Sequence, residues 1–363
     1  MSKRIGILTG GGDAPGLNAV IRAVVLTATR RYGWEVVGIF QGFDGLYAGL
    51  PTMPLYEESV RDLLARGGTI LGAANRGNPF ALQVANPDGT ETIADVSQDA
   101  LDRIADLGLD ALIVAGGDGT MTIAHRLVGL GARIVGVPKT IDNDLSETDV
   151  TFGFDTAIST ATEALDKLQT TAESHHRVMV LEVMGRYAGW IALMAGVAGG
   201  ADAILIPEIP FDIELVCQKI RDLQASGRHY SLIVVAEGAT PIGGQRSYYI
   251  KAEGGRAGRL GGMGHIVGEM LAECVAAEVR VTVLGHVQRG GQPTARDRWL
   301  ATRFGAAAVH LVAQERWGYM VALQGTQMVT VPMEQAINAK LVDPLGAMVQ
   351  MARDMGIVFG EPV

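Results

Sequence analysis

The densest chemistry in the chain is Lys139-Thr140-Ile141-Asp142-Asn143-Asp144, where two carboxylates, a hydroxyl, an amide and an ammonium share one short stretch. Ile134, Val135 and Val137 precede it and read as a buried strand, because β-branched residues suit a pleated, half-buried surface. Pro138 has no N–H to give a neighbouring strand and ends the ladder. Polar groups just past the C-terminal end of a parallel strand lie where open α/β sheets bind ligands. A lone Asp-x-Asp reads first as a solvated turn, and the context is what turns the reading to a site. Leu112-Ile113-Val114-Ala115 runs into Gly116-Gly117-Asp118-Gly119-Thr120, and Ile5 to Leu8 runs into Gly10-Gly11-Gly12-Asp13. Three such junctions predict one cleft approached from three sides.

A glycine-rich turn between strand and helix offers free N–H groups and the positive end of a helix dipole to phosphate oxygens. In Gly116 to Thr120 the carboxylate of Asp118 is placed to hold a Mg²⁺ bridging those phosphates, since Mg²⁺ prefers hard oxygen donors. The alternative is a tight turn with a helix cap, and a cap alone does not call for three glycines. Gly10 to Gly12 has the same form with less specificity. Downstream, Arg177 opens a predicted strand, Met184-Gly185-Arg186 ends it and Glu237 ends another. Arg280 opens a third, and His286-Val287-Gln288-Arg289-Gly290-Gly291 follows it. Each arginine alone reads as a surface charge, and His286 as a satisfied loop histidine. Four arginines at strand ends of an acidic protein predict a phosphorylated substrate, which Arg grips in bidentate fashion. Gly-x-x-x-x-Gly-Lys-Ser/Thr is absent, as are the protein-kinase motifs, His-Glu-x-x-His and paired Cys-x-x-Cys. That excludes a P-loop or protein-kinase mechanism and leaves a zinc site unsupported.

These residues need a scaffold of parallel strands, and the chain predicts one. Strands at Arg4 to Thr9, Glu35 to Phe40, Leu112 to Gly116 and Ile134 to Pro138 alternate with helices, the first running to about Arg31. Asp13 is expected to cap that helix, with Pro15 in its first turn. Further helices are predicted at Tyr56 to Ala65, Ser97 to Leu107 and Thr120 to Leu130. The alternation continues through a helix at Asp155 to Thr171, a strand at Arg177 to Met184 and a helix at Ala188 to Val197. Then come a strand at Asp202 to Ile206, a helix at Ile213 to Ala225 and a strand at Ser231 to Ala236. A Gly-rich connection over Thr240 to Gly264 leads to a helix ending near Ala277, a strand at Arg280 to Leu284 and a helix at Asp297 to Gln314. This spacing argues an α/β fold with a parallel sheet covered by helices on both faces. The chain has 363 residues, 48% of them hydrophobic and 19% charged, enough for a large core and two lobes. No linker divides it, so two lobes require the chain to cross between them more than once. The net charge of −9 makes nucleic acid and anionic membrane poor partners. There is no apolar signal region and no run of 18 apolar residues, which predicts a cytoplasmic protein. Cys217 and Cys274 fall in apolar helical patterns and are expected as reduced core thiols.

The ordered set Gly11–Ala19 (GGDAPGLNA), Gly116–Thr120 (GGDGT), Pro138–Asp144 (PKTIDND), Glu182–Gly189 (EVMGRYAG) and Leu284–Gly291 (LGHVQRGG) resembles the 6-phosphofructokinases over nearly the whole chain. The resemblance implies two Rossmann-like lobes with mostly parallel sheets flanked by helices. It places a nucleotide and Mg²⁺ lobe at 1–153 plus 288–338 and a sugar-phosphate lobe at 154–287 plus 339–363. It implies phosphorylation of fructose 6-phosphate at its 1-hydroxyl by MgATP, with pyrophosphate as the alternative donor. Asp142 would be the general base, with Thr140 and Asp144 beside it, and Arg186 would offset charge on the transferred group. Asp118 would carry Mg²⁺, and Gly12, Arg76, Gly119 and Thr120 would line the nucleotide. Arg177, Arg280, His286 and Arg289 would hold the 6-phosphate, and Met184, Gly185 and Glu237 would contact the sugar. Arg177 and Arg280 would come from a neighbouring subunit, implying a homo-oligomer, usually a tetramer. Gly119 and Lys139 would select the donor. Gly77 to Ala100 and Thr240 to Gly264 are longer than in compact bacterial members. At positions aligned with those members' basic effector pocket, Arg22 matches while Leu26, Gln169 and Ser226 cannot hold phosphate by charge.

Overall fold

A computed structural model describes residues 2–74, 77–85, 89–244, 248–250 and 259–361. The elements in chain order are β1 (Arg4–Thr9), α1 (Leu17–Tyr32), β2 (Glu35–Ile39), α2 (Asp44–Tyr47), β3 (Thr52–Leu55), β4 (Leu82–Ala85), β5 (Glu91–Ala94), α3 (Ser97–Asp106), β6 (Ala111–Gly116), α4 (Asp118–Gly129), β7 (Ile134–Pro138), α5 (Phe154–His175), β8 (Val178–Val183), α6 (Trp190–Ala198), β9 (Ala203–Leu205), α7 (Ile213–Ala225), β10 (Ser231–Ala236), β11 (Tyr248–Ile250), β12 (Arg259–Leu260), α8 (Met263–Cys274), β13 (Val279–Val283), α9 (Ala295–Ala313), β14 (Tyr319–Gln324), β15 (Gln327–Pro332), α10 (Met333–Ala336) and α11 (Ala347–Asp354). They form two compact units. One contains Met1–Ile141, Leu145–Thr156 and Arg289–Ala339; the other contains Asp142–Asp144, Ala157–Gln288 and Lys340–Val363. The chain therefore passes from one unit to the other several times.

The first unit is built on a sheet of strand order β15-β14-β7-β6-β1-β2-β3. Its central strands are parallel, and the outer pairs β2–β3 and β14–β15 are antiparallel. Side-chain alternation sorts the strand residues between two cores. Ile5, Ile7, Ile113, Val135 and Val137 pack with Leu17, Val20 and Val24 of α1 and Phe304 and Val309 of α9. Leu8, Leu112, Val114 and Ile134 pack on the other face with Ala100 of α3, Met121 and Leu127 of α4 and Met333 of α10. Apart from the exposed Arg4 at the start of β1, β1, β6 and β7 are buried along their length, as strands covered by helices on both sides must be. Each fully buried Leu, Ile or Phe contributes roughly 1.5–3 kcal/mol, so packing rather than local propensity holds this sheet.

The second unit carries an all-parallel sheet of order β13-β8-β10-β9. Val178, Val180, Ile233 and Val235 bury one face against Val216 and Ile220 of α7 and Val267 and Leu271 of α8. Asp212 caps α7, its carboxylate accepting from Glu214 N at 2.9 Å, a contact of about 1 kcal/mol in other helices. Two small hairpins, β4–β5 and β11–β12, complete the strands.

Several expectations change. Asp13 does not cap α1: the chain turns at Gly16 with φ 105°, the helix starts at Leu17 and no side chain accepts from its first turn. The helix expected at Tyr56 to Ala65 is a single 3-10 turn at Glu58–Val60, because Val60 and Leu63 already reach the core through tight turns. Cys217 and Cys274 are joined as a disulfide between α7 and α8, with Cα atoms 6.1 Å apart. That spacing lies within the usual bridging range, and the side-by-side helices that create it are invisible in two apolar patterns. No described helix is long and apolar enough to cross a membrane.

Candidate functional site

In the first unit, strands β1, β6 and β7 lie side by side and parallel, so the segments leaving their C-terminal ends are neighbours. Gly10 N donates to Ala115 O at 2.9 Å, and Lys139 N donates to Gly116 O at 2.9 Å. These bonds bring the loops at Gly10–Asp13, Gly116–Thr120 and Pro138–Thr140 together. The sequence reading assigned the glycines to ligand approach, but two of them serve the loop itself. A Cβ at Gly10 would lie 2.7 Å from Thr120 Cγ2, and one at Gly116 would lie 2.3 Å from Thr120 Cβ. The buried Thr120 side chain therefore sits beneath both glycines. Gly119 differs: a Cβ there meets nothing within 4 Å. Gly11, Gly12, Asp13, Gly68, Thr69 and Ala73 line a cavity of about 290 Å³.

Asp118 is the exposed first residue of α4, where a carboxylate faces the positive end of the helix. Lys139 is 3% exposed, and its Nζ donates to the carbonyl of Gly12. The thin sequence signal for Lys139 thus becomes a tie between the third junction and the first. Thr140 is buried, and its carbonyl accepts from Thr151 Oγ1 at 2.7 Å. Arg289 belongs to the first unit, where its Nη1 donates to Asp13 O at 3.1 Å. Arg76 lies outside the described residues.

In the second unit, Asp142 and Asp144 flank the buried Asn143, whose φ of 53° is left-handed. Asn adopts this region more readily than most residues, and it turns the two carboxylates through a sharp bend. Lys340 N donates to Asp144 O at 2.8 Å. The segment Met184–Gly189 connects β8 to α6 and carries Arg186. Gly185, at φ 142°, leaves a Cβ position 2.8 Å from Ala188 O, so only glycine fits this turn. Gly238 N donates to Gly185 O at 3.1 Å, and Glu237 N donates to Val183 O at 2.9 Å. The segment after β10 therefore runs beside the Arg186 segment. Arg177 precedes β8, while Arg280 stands on the edge strand β13 in register with Met179. Both arginines donate to the Glu278 carboxylate between them, and Arg177 holds that carboxyl below its ordinary range. His286 is exposed on the 3-10 turn Gly285–Arg289.

Two supporting residues escaped the sequence reading. Gln288 is fully buried, and its Oε1 accepts from Met184 N at 2.8 Å. Glu208 accepts from Gly189 N and Val342 N, and burial pushes its carboxyl up despite these bonds. Each braces backbone far away in sequence, so no local spacing announces it.

The sequence profile of the Phosphofructokinase family matches residues 4–312. The chain belongs to the phosphofructokinase family. An ATP-dependent 6-phosphofructokinase of Chloroflexus aurantiacus is 54% identical over 362 residues, spanning 99% of this chain and 98% of that protein. A pyrophosphate–fructose 6-phosphate 1-phosphotransferase of Amycolatopsis methanolica is 51% identical over 350 residues, spanning 94% of this chain and 96% of that protein. The structure of phosphofructokinase from Saccharomyces cerevisiae superimposes with a TM-score of 0.78 at 33% identity, over 93% of this chain and 45% of that one. The present chain thus spans under half of the yeast chain's length.

Proposed function

We propose that this protein transfers the terminal phosphoryl group of MgATP to the 1-hydroxyl of fructose 6-phosphate, giving fructose 1,6-bisphosphate, the committed step of glycolysis. The observation that carries the reading is the 54% identity, across essentially both full chains, to a relative named for ATP. The open space beside Gly119 supports the same donor. A coupled assay offering fructose 6-phosphate with ATP, ADP or pyrophosphate in turn tests it, and the expected result is turnover with ATP. The pyrophosphate alternative keeps two supports, the 51% identity to the Amycolatopsis methanolica protein named for pyrophosphate and the buried Lys139 ammonium at the Gly12 carbonyl.

In this proposal the first unit takes the nucleotide. Gly12, Gly119 and Thr120 line it, Thr120 through its backbone N–H because its side chain is packed under Gly10 and Gly116. Arg76 joins them by resemblance alone. Among the described residues, no group of three or more His, Cys, Asp or Glu could hold a metal without further ligands. Mg²⁺ in phosphoryl-transfer sites takes one or two carboxylates and completes its shell with phosphate oxygens and water, which fits the exposed Asp118. Asp118 would hold the ion, which would supply positive charge against the donor phosphates. Asp142 accepts the proton of the sugar 1-hydroxyl as general base, flanked by Thr140 and Asp144. Arg186 offsets charge developing on the transferred group. Met184, Gly185 and Glu237 contact the sugar, and Arg177, Arg280, His286 and Arg289 hold its 6-phosphate. The reading includes a cytoplasmic homotetramer in which Arg177 and Arg280 serve a neighbouring subunit's site.

Arg177→Ala and Arg280→Ala are each expected to raise KM for fructose 6-phosphate at least about tenfold, the scale of a lost charged hydrogen bond, while KM for ATP stays near wild type. If the arginines are shared between subunits, mixing Arg177→Ala with Asp142→Asn protein restores part of the activity in hybrid oligomers. No rescue after verified subunit exchange counts against shared sites.

Regulation follows from the same residues. Gln169 Nε2 donates to Tyr230 Oη at 3.4 Å, and Ser226 Oγ donates to Leu223 O at 2.7 Å. Neither carries a charge for a phosphate, so ADP is expected to activate weakly or not at all. Initial-rate titration with ADP checks this; strong activation abolished by Arg22→Ala overturns it.

A further inference from the structure

We infer that Glu208 is a positioning residue for phosphoryl transfer, fixing the backbone that carries Arg186 and joining it to the segment that holds Asp144. Glu208 follows β9, and its Oε1 accepts from Gly189 N at 2.9 Å and from Val342 N at 2.9 Å. Its Oε2 lies 3.1 Å from the same Gly189 N. Gly189 closes the segment Met184–Gly189 and sits at the N-terminus of α6. A Cβ on Gly189 would lie 2.4 Å from Ile206 Cβ and 2.9 Å from Glu208 Oε2, so glycine is what lets the carboxylate reach this backbone.

The other end of the Arg186 segment is held as firmly. Met184 N donates to Gln288 Oε1 at 2.8 Å, and a Cβ on Gly238 would lie 2.2 Å from Arg186 O. The Arg186 Nε is buried and makes no hydrogen bond among the described residues. Its guanidinium lies 5.2 Å from the ring centroid of the adjacent Tyr187, which belongs to the same segment, so the course of this backbone aims it, and Glu208 is the side chain gripping that backbone at its downstream end.

The second bond gives Glu208 its wider reach. Val342 lies two residues after Lys340, whose N–H donates to Asp144 O at 2.8 Å and whose carbonyl accepts from Trp190 Nε1 at 2.8 Å. All of these residues lie within the second unit. One carboxylate thus connects the arginine segment to the strand of chain that fixes Asp144. Helix capping alone would need only the Gly189 bond; the shared Oε1 ties two separate pieces of the site together.

The inference rests on the proposed role of Arg186, and a double-mutant cycle separates the two. The variants are Glu208→Ala, Glu208→Gln, Glu208→Asp, Arg186→Ala and Glu208→Ala/Arg186→Ala, each measured for kcat, for KM of ATP and fructose 6-phosphate, and for Tm. Glu208→Ala is expected to lower kcat at least about tenfold with KM for ATP within about twofold, because the lost interaction belongs to the transition state. Glu208→Gln recovers most of kcat, since its amide oxygen accepts from both N–H groups. Glu208→Asp keeps the charge but is one methylene too short, and its kcat falls. In the Arg186→Ala background the further loss from Glu208→Ala shrinks to under about twofold, because residues acting as one unit are not additive. A full multiplicative loss in that background overturns the inference. So does wild-type kcat in Glu208→Ala or Glu208→Asp beside a crippled Arg186→Ala. If Glu208→Ala does not fold, the Gln and Asp variants decide. Unimpaired kcat in Arg186→Ala removes both the role of Arg186 and the inference built on it.

Discussion

Asp142→Asn is expected to bind fructose 6-phosphate with near-normal affinity and to turn over at least about 10²-fold more slowly, the lower end of what a lost general base costs. The substitution keeps size and shape while removing the carboxylate's charge and its ability to accept a proton. That isolation matters here because the local backbone is constrained. Asn143 next to it occupies a left-handed conformation at φ 53° and is buried, and Asp144 is tied through its carbonyl to Lys340 N. A larger change at Asp142 would disturb that bend and confuse geometry with chemistry, whereas an amide leaves it intact. Calorimetric titration with fructose 6-phosphate and steady-state kcat with ATP separate the two effects. A variant with intact binding and near-normal turnover removes Asp142 from the role of base.

The residues that carry the proposed chemistry were legible because they cluster where strands end. β1, β6 and β7 announce themselves as apolar runs, and Pro138 and the glycine turns mark their ends. Some boundaries shifted by a residue or two, as α4 already includes Asp118 and β8 stops at Val183 before the Arg186 segment, while α5 runs on to His175, past the expected end at Thr171. What stayed hidden depends on contacts distant in sequence. Gly10 and Gly116 look like ligand-facing glycines, yet they make room for the Thr120 side chain. Glu208 and Gln288 look like polar residues at the edges of apolar runs, yet they accept from backbone N–H groups 19, 134 and 104 residues away. No periodicity encodes such bonds. The antiparallel edges β3 and β15 were missed for a related reason. Their half-buried strands show weak alternation, and pairing with β2 and β14 rather than sequence pattern makes them strands. The disulfide belongs to the same class, since it depends on two helices lying side by side.

An effect of the same size is expected at the donor, and two residues bear on it in opposite directions. By resemblance, the residue after the Mg²⁺-carrying Asp is Gly in ATP users and often Asp in pyrophosphate users, and here it is Gly119. The residue after Pro138 is commonly Gly in compact ATP enzymes and Lys in pyrophosphate users, and here it is Lys139. The structure gives the two positions different physical weight. A Cβ at Gly119 meets no protein atom within 4 Å, so an Asp there is accommodated by the chain. Its carboxylate would stand in the open space beside Asp118, crowding and repelling the phosphates of a nucleotide. Lys139 instead sends its ammonium to the Gly12 carbonyl. It steadies the loop and adds positive charge without occupying that space. A clash or a repelled charge blocks a ligand, whereas an added cation only attracts one. Gly119→Asp is therefore expected to fold with unchanged Tm and to lose ATP-dependent turnover by at least about 10²-fold, close to 2.7 kcal/mol of transition-state stabilisation. Lys139→Gly is expected to keep ATP binding while lowering kcat, because the loop it braces is left looser. The measurements are Tm, ATP titration and kcat with ATP and with pyrophosphate for the wild type and both variants. Wild-type protein that turns over with pyrophosphate and ignores ATP, or a Gly119→Asp variant that keeps its ATP rate, reverses the weighting of Gly119 over Lys139.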